Sequence, residues 1–225
     1  MNISHHPGED LLFDYASGSL SESWSVAIAT HLALCPECRR VTSDFEIIGG
    51  GMISSAKPSS VSDNLFDSVM AVVDGVGEEA EESEEGLLIK GADEGRQQFI
   101  LPQPLRKYVG CDVGEVAWNR LGLNAHQLKI PLSDESASIR LLKIPAGRPV
   151  PTHSHHGREL TLVLSGAFSD VTGTYGRGDM QDLDDSVEHQ PHAAPGEDCI
   201  CLVITDHPLK FKSRAARMIQ PLLGI

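Results

Sequence analysis

His31, Cys35 and Cys38 stand close together in the run Thr30-His-Leu-Ala-Leu-Cys-Pro-Glu-Cys38. A histidine and a cysteine at i, i+4 project from one face of a helix, a turn apart. Pro36 ends or bends that helix and lets Cys38 return to the same point. An imidazole and two thiolates are zinc ligands, and a closed tetrahedral site needs a fourth, which His5 or His6 can supply. A second constellation lies downstream. His153 and His155, two apart on a strand, point to one side of a sheet. Glu159 follows a short Gly-containing turn, and His189 offers a third imidazole. Three neutral imidazoles and a carboxylate suit Zn, Fe, Mn, Ni or Cu about equally. The nearby His156 and His192 are expected to face solvent or to stand behind the ligands. Cys199 and Cys201, two apart on one strand, face the same way with Cβ atoms about 7 Å apart, too far for an unstrained disulfide. They read as two small buried hydrophobes rather than as a pair of oxidisable thiols. Cys111, after Gly110 in a loop, has no assigned role.

The elements that must carry these residues fall into three zones. Residues 1–72 show helical periodicity: a short amphipathic segment from Glu9 ending near Gly18, then a Ser19-Leu-Ser-Glu22 capping box leading into Trp24, Ile28, His31 and Leu32. A third helix is expected to start at Pro36 and to end at the triple glycine 49–51. A fourth carries Leu65, Phe66, Val69, Met70 and Val73, a stripe fit for a core or for docking on a partner. Residues 74–94 hold nine acids against one base, Lys90, with four glycines and no aromatic. Such a stretch buries too little apolar surface to order itself and reads as a flexible linker. From about residue 99, short apolar segments separated by Pro, Gly, Asp and Ser suggest a sandwich or barrel.

Composition narrows the function classes. The net charge is −14, and residues 1–72 hold nine acids and three bases, which argues against a zinc-stabilised DNA binder and for a basic protein partner. No apolar run approaches the ~20 residues of a membrane span, and the N-terminus is not a signal peptide. Five cysteines, two of them in a metal-ligand pattern, suit a reducing cytoplasm.

The segment Gly147-Arg-Pro-Val-Pro-Thr-His153-Ser-His155-His-Gly-Arg-Glu159 through Gly166 resembles the first cupin motif at each fixed position. Gly178 and His189 match the second motif, while Asp184 and Ser186 replace its Pro and Gly and Ala193 its Asn, so the turn before His189 differs. The combination of His5-His6, His31-x3-Cys35-x2-Cys38, the cupin segment, Glu188-His189 and Asp198-Cys-Ile-Cys-Leu202 resembles the ChrR-type anti-sigma factors over nearly the whole chain. That resemblance implies a multidomain fold: a small all-α zinc-binding helical domain over residues 1–73, the acidic flexible linker over 74–98, and an all-β, jelly-roll-like cupin barrel over 99–225. It assigns a structural zinc to His6, His31, Cys35 and Cys38, choosing His6 over His5. It assigns a second divalent metal, expected to be zinc, to His153, His155, Glu159 and His189. The implied partner is a sigma factor of the extracytoplasmic-function type, in a 1:1 heterodimer. The protein would keep it from RNA polymerase in the cytoplasm and release it under singlet oxygen or organic peroxide, without enzymatic activity and without binding nucleic acid or membrane. The alternative is a metal-dependent cupin enzyme, a dioxygenase or isomerase, with an accessory zinc module.

Overall fold

The computed structural model describes residues 3–80, 99–122, 125–133, 137–208 and 210–211. The helices are α1 (Glu9–Ser17), α2 (Glu22–Leu34), α3 (Pro36–Ser55), α4 (Leu65–Ala80) and α5 (Gln103–Val109). The strands follow as β1 (Asn119–Leu121), β2 (Ala125–Lys129), β3 (Ser138–Ile144), β4 (His153–Ser154), β5 (Glu159–Ser165), β6 (Ala167–Asp170), β7 (Gly173–Gly176), β8 (Met180–Leu183), β9 (Glu188–His189), β10 (His192–Ala193), β11 (Cys199–Thr205) and β12 (Lys210–Phe211). Helices therefore precede an antiparallel β domain. Among the described residues no helix is long and apolar enough to cross a membrane.

Local signals explain some helix ends and not others. Gly18 takes a left-handed φ of 73°, and the N–H groups of Gly18 and Ser19 close the end of α1 on the Tyr15 and Asp14 carbonyls. The expected capping box does not form. Ser21 is the N-cap of α2 and makes no side-chain cap bond, while the Glu22 carboxylate accepts from Tyr108 Oη at 3.2 Å and from Ser133 N and Oγ at 3.1 and 2.7 Å. A long-range use of Glu22 thus wins over a local one. Pro36 opens α3 as expected, but the helix runs on through Gly49–Gly51, none of which takes a positive φ. Glycine lowers helix stability by about 1 kcal/mol per residue without forbidding the helix.

Met1–Gly50 and Phe99–Ile225 form one compact unit, and Gly51–Gln98 a second. In the second unit, α4 exposes Phe66, Val69, Met70 and Val73 at i, i+3, i+4 and i+7, one continuous apolar face. Of the expected linker, residues 74–80 continue α4 and 81–98 lie outside the described residues.

The first unit is built on a six-stranded antiparallel sheet of order β1-β2-β3-β11-β5-β8, with two three-stranded sheets, β10-β6-β7 and β12-β4-β9. Successive residues of β5 and β11 alternate between two hydrophobic clusters. Leu160, Leu162 and Leu164 with Ile200, Leu202 and Ile204 face a layer formed by Leu12, Val26, Ala27, Ile28, Leu101 and Leu105. Val163, Cys199, Cys201 and Val203 face the other way, with Phe168, Tyr175 and Ala193. Both faces are covered, which is why β11 is buried along all seven of its residues. Helices α1, α2 and α5 therefore share one core with the back of the sheet.

Candidate metal centres

The first cluster is assembled where α2 passes into α3. His31 lies in the last turn of α2. Cys35 caps that helix in an extended conformation (φ −106°, ψ 105°), and Cys38 occupies the first turn of α3, its N–H reaching Cys35 Sγ at 3.4 Å. His6 enters from the segment before α1. Its Nδ1 lies 3.4 Å from Cys35 Sγ and 3.3 Å from Cys38 Sγ, and His31 Nε2 lies 3.3 Å from Cys38 Sγ. The far side of the His6 ring, Nε2, is 3.7 Å from the Glu37 carboxylate, which turns Nδ1 inward. All four donor atoms lie within 4.8 Å of one another. Zn–S and Zn–N bonds of about 2.3 and 2.0 Å at a tetrahedral angle place neighbouring S and N donors about 3.5 Å apart, so these separations are those of a zinc-sized cage. Burial holds His31 down to about 4, keeping it neutral, and pushes the Cys38 thiol up to about 12, with Cys35 adding to the rise. Binding of a cation must then displace the Cys38 proton.

His5, the other candidate, is used differently. Its ring meets Tyr175 at a centroid distance of 4.4 Å, and its backbone N–H donates to Asp179 Oδ1 at 3.0 Å.

The second cluster lies inside the β domain. β4 contributes His153, the turn after it His155, the start of β5 Glu159 and β9 His189; all four are buried and their donor atoms are within 4.8 Å. His153 pairs with His189 across β4–β9, placing the two rings side by side. His153 Nδ1 donates to Pro151 O at 2.8 Å, a carbonyl that can only accept. His189 Nδ1 donates to Asp170 Oδ2 at 2.6 Å. Burial disfavours the Asp170 carboxylate, but hydrogen bonds from Thr172, Gln181 and His189 outweigh it and hold the group at about 2, so Asp170 is an acceptor. These partners assign both protons to Nδ1. Two lone pairs then face each other, His153 Nε2 and His189 Nε2, at 3.0 Å. Neither can donate to the other. Burial keeps His153 at about 4, which disfavours a bridging proton at neutral pH and leaves a metal cation as the fitting occupant. His155 Nε2 has no hydrogen-bond partner among the described residues and lies 3.6 Å from Glu159 Oε1. Burial lifts Glu159 to about 8, and a bound cation is what would keep it ionised.

Asp184, where the cupin pattern has Pro, builds the turn before His189 itself: its Oδ1 accepts from Ser186 N at 2.9 Å. The substituted turn still delivers His189.

The fold agrees with the comparisons. Residues 106–208 match the ChrR cupin-like domain family. The anti-sigma-E factor ChrR of Cereibacter sphaeroides is 41% identical over 225 residues, covering 100% of both chains. The chain belongs to the ChrR family. A crystal structure of Rhodobacter sphaeroides SigE in complex with the anti-sigma ChrR matches at 40% identity and a TM-score of 0.75, covering 91% of this chain and 99% of that one.

Within this ChrR-family chain, His156 and His192 are exposed and outside the clusters. Cys199 and Cys201 are buried free thiols whose sulfurs lie 3.5 Å apart, closer than regular strand geometry suggests, and the β11–β5 register shifts between Ile200 and Cys201. Asp170, Tyr175 and Asp179 are contacts that sequence reasoning missed. Asp170-Val-Thr172-Gly173 is legible only as a hairpin turn, which the Thr172 N–H to Asp170 Oδ1 bond (2.7 Å) forms.

Proposed function

We propose that this protein is an anti-sigma factor that binds a sigma factor of the extracytoplasmic-function type in a 1:1 complex, withholds it from RNA polymerase in the cytoplasm, and releases it under singlet oxygen or organic peroxide. The observation that carries the reading is 41% identity over the full chain to an anti-sigma factor, together with a structural match along 99% of an anti-sigma ChrR chain solved in complex with SigE. Two apolar surfaces of this chain fit a helical protein partner. On α3, Ile47, Ile48, Met52 and Ile53 are exposed, and on α4 the Phe66–Val73 face is exposed.

The donor set of the first cluster, two thiolates and two imidazoles, is that of a structural zinc site. Bound there, zinc supplies a rigid crosslink among the N-terminal segment, α2 and α3. His6, His31, Cys35 and Cys38 fix the crossing of these segments, and α3 carries one of the apolar surfaces. The barrel cluster holds a second divalent metal, read as zinc, and is the sensing half of the molecule. The protein is read as a regulator without catalytic activity.

The test is co-expression with a sigma factor of the extracytoplasmic-function type from the same organism. A 1:1 complex that blocks sigma-dependent transcription in vitro, and that Cys35→Ser abolishes, supports the reading. Failure of the full-length chain to bind that sigma factor, together with turnover of a small organic substrate by the barrel, would sink it.

A further inference from the structure

The two metal clusters are joined by an unbroken series of contacts within one compact unit. It begins at His189, whose Nδ1–H donates to Asp170 Oδ2 at 2.6 Å; the Asp170 side chain is fully buried. The other carboxylate oxygen, Oδ1, accepts from Thr172 Oγ1 at 2.6 Å. With that proton committed, Thr172 Oγ1 accepts from Tyr175 Oη at 3.0 Å and from Gln181 Nε2 at 2.7 Å. The Tyr175 ring stacks on Phe168 at 5.0 Å and also meets the His5 imidazole, tilted, at 4.4 Å. His5 is then locked by its backbone: its N–H donates to Asp179 Oδ1, its carbonyl accepts from Met180 N at 3.1 Å, and Ser4 N donates to the same Asp179 oxygen at 2.7 Å. The next residue is His6, with both sulfurs of the thiolate cluster within 3.4 Å of its Nδ1.

The β6–β7 hairpin, Ala167–Asp170 paired with Gly173–Gly176, thus has Asp170 on a ligand of one cluster and Tyr175 against the neighbour of a ligand of the other. A histidine ligand is oriented by what its second nitrogen bonds, and a segment without helix or strand of its own is oriented by what its flanks touch. His189 meets the first condition and His6 the second.

We propose that Asp170, Thr172 and Tyr175 are positioning residues that couple the barrel cluster to the thiolate cluster, so that an ordered His189 tightens metal retention by His6, Cys35 and Cys38. The proposal rests on the reading of both clusters as metal sites. Disturbance of His189 frees Asp170, the hairpin loses the hydroxyl chain that sets Tyr175, and the seat of His5 loosens. His6 then leaves the thiolate cluster more readily, which weakens the α2–α3 crosslink. Coupling of this kind is reciprocal: filling the thiolate cluster must order the hairpin to the same degree.

The test uses the full chain loaded with cobalt(II), because only the first cluster has thiolates and only it gives a cobalt–thiolate charge-transfer band. Loss of that band to excess chelator is followed in the wild type, Tyr175→Phe, Thr172→Val, Thr172→Ser and Asp170→Asn. Tyr175→Phe keeps the ring and the stack on Phe168 and removes only the hydroxyl. The expected result is loss several-fold to about tenfold faster in Tyr175→Phe and Thr172→Val, the scale of one net hydrogen bond. Near-wild-type rates are expected in Thr172→Ser, and no further acceleration when Asp170→Asn is added to Tyr175→Phe. A wild-type loss rate in both Tyr175→Phe and Thr172→Val overturns the coupling and leaves the metal reading standing. Independent, additive effects of Asp170→Asn and Tyr175→Phe also overturn it. Absence of the thiolate band in the wild type overturns the metal reading itself, and the coupling with it.

Discussion

Arg158 and Asp182 are joined by two parallel hydrogen bonds, Nε to Oδ1 at 2.8 Å and Nη2 to Oδ2 at 2.6 Å. The remaining guanidinium nitrogen, Nη1, reaches Asp10 of α1 at 2.8 Å. Arg158 precedes Glu159 of the barrel cluster, so one side chain touches β8 and the covering helix from beside that cluster. The Asp10 side chain is 62% exposed, and an ion pair so open to water contributes little. The helical layer must therefore be held by its apolar face.

Asp10→Asn should change unfolding free energy by less than about 1 kcal/mol. Ile28→Ala, at a side chain fully buried between α1, α5 and the sheet, should lower it by about 2–4 kcal/mol. Denaturant unfolding of the full chain reports both, and equal losses would contradict a core shared across the sheet.

Cys35→Ser and Cys38→Ser should each remove one equivalent of zinc and abolish sigma binding, since a three-donor cage no longer fixes α2 against α3. Elemental analysis and a pull-down measure the two effects. Zinc loading of the wild type should also release protons, because Cys38 sits at about 12 without a cation. Calorimetry in buffers of different ionisation enthalpy reads that release.

A His153→Ala, Glu159→Ala double variant should lose the barrel metal and, because His189 keeps its bond to Asp170, keep sigma affinity in unstressed conditions, while failing to release sigma under singlet oxygen. Metal content, titration with sigma and a stress-driven reporter distinguish these outcomes. Normal release from the double variant would take the barrel cluster out of the mechanism.

Asp179 anchors the segment that carries His6, and its pH dependence has a defined sign. Burial opposes its charge, but the N–H groups of Gly176, Ser4 and His5 hold the carboxylate below its ordinary 3.8. A group depressed in the folded state adds stability above its unfolded value and loses it as pH falls through the folded value. The stability difference between wild type and Asp179→Asn should be about 1–3 kcal/mol at pH 6 and should shrink steadily below pH ~4. A difference independent of pH would contradict the anchor.

The sequence announces its two ligand sets because both are local: His31 to Cys38 spans a helix end, and His153 to Glu159 a strand and its turn. Helix existence was equally readable, and so was the β character after residue 99. The layering was hidden. Ile200–Ile204 is an unbroken apolar run and Leu160–Leu164 is interrupted only by Thr161, the mark of strands covered on both faces, yet nothing local says that α2 is the cover. Glu22 misleads for the same reason. Its capping spacing is local, while its bonds to Tyr108 and Ser133 are made by the tertiary fold. Asp170 could not be separated from an ordinary turn residue, because its role depends on His189 being brought beside it.

β11 is the strand on which this molecule has least latitude. Cys199, Cys201 and Val203 look into the barrel while Ile200, Leu202 and Ile204 look toward the helices. A change of side-chain volume there has no solvent side on which to relax. Saturation mutagenesis should therefore find β11 the least permissive stretch of the chain, and the rare accepted changes should come as compensating pairs with the neighbouring strands β3 and β5.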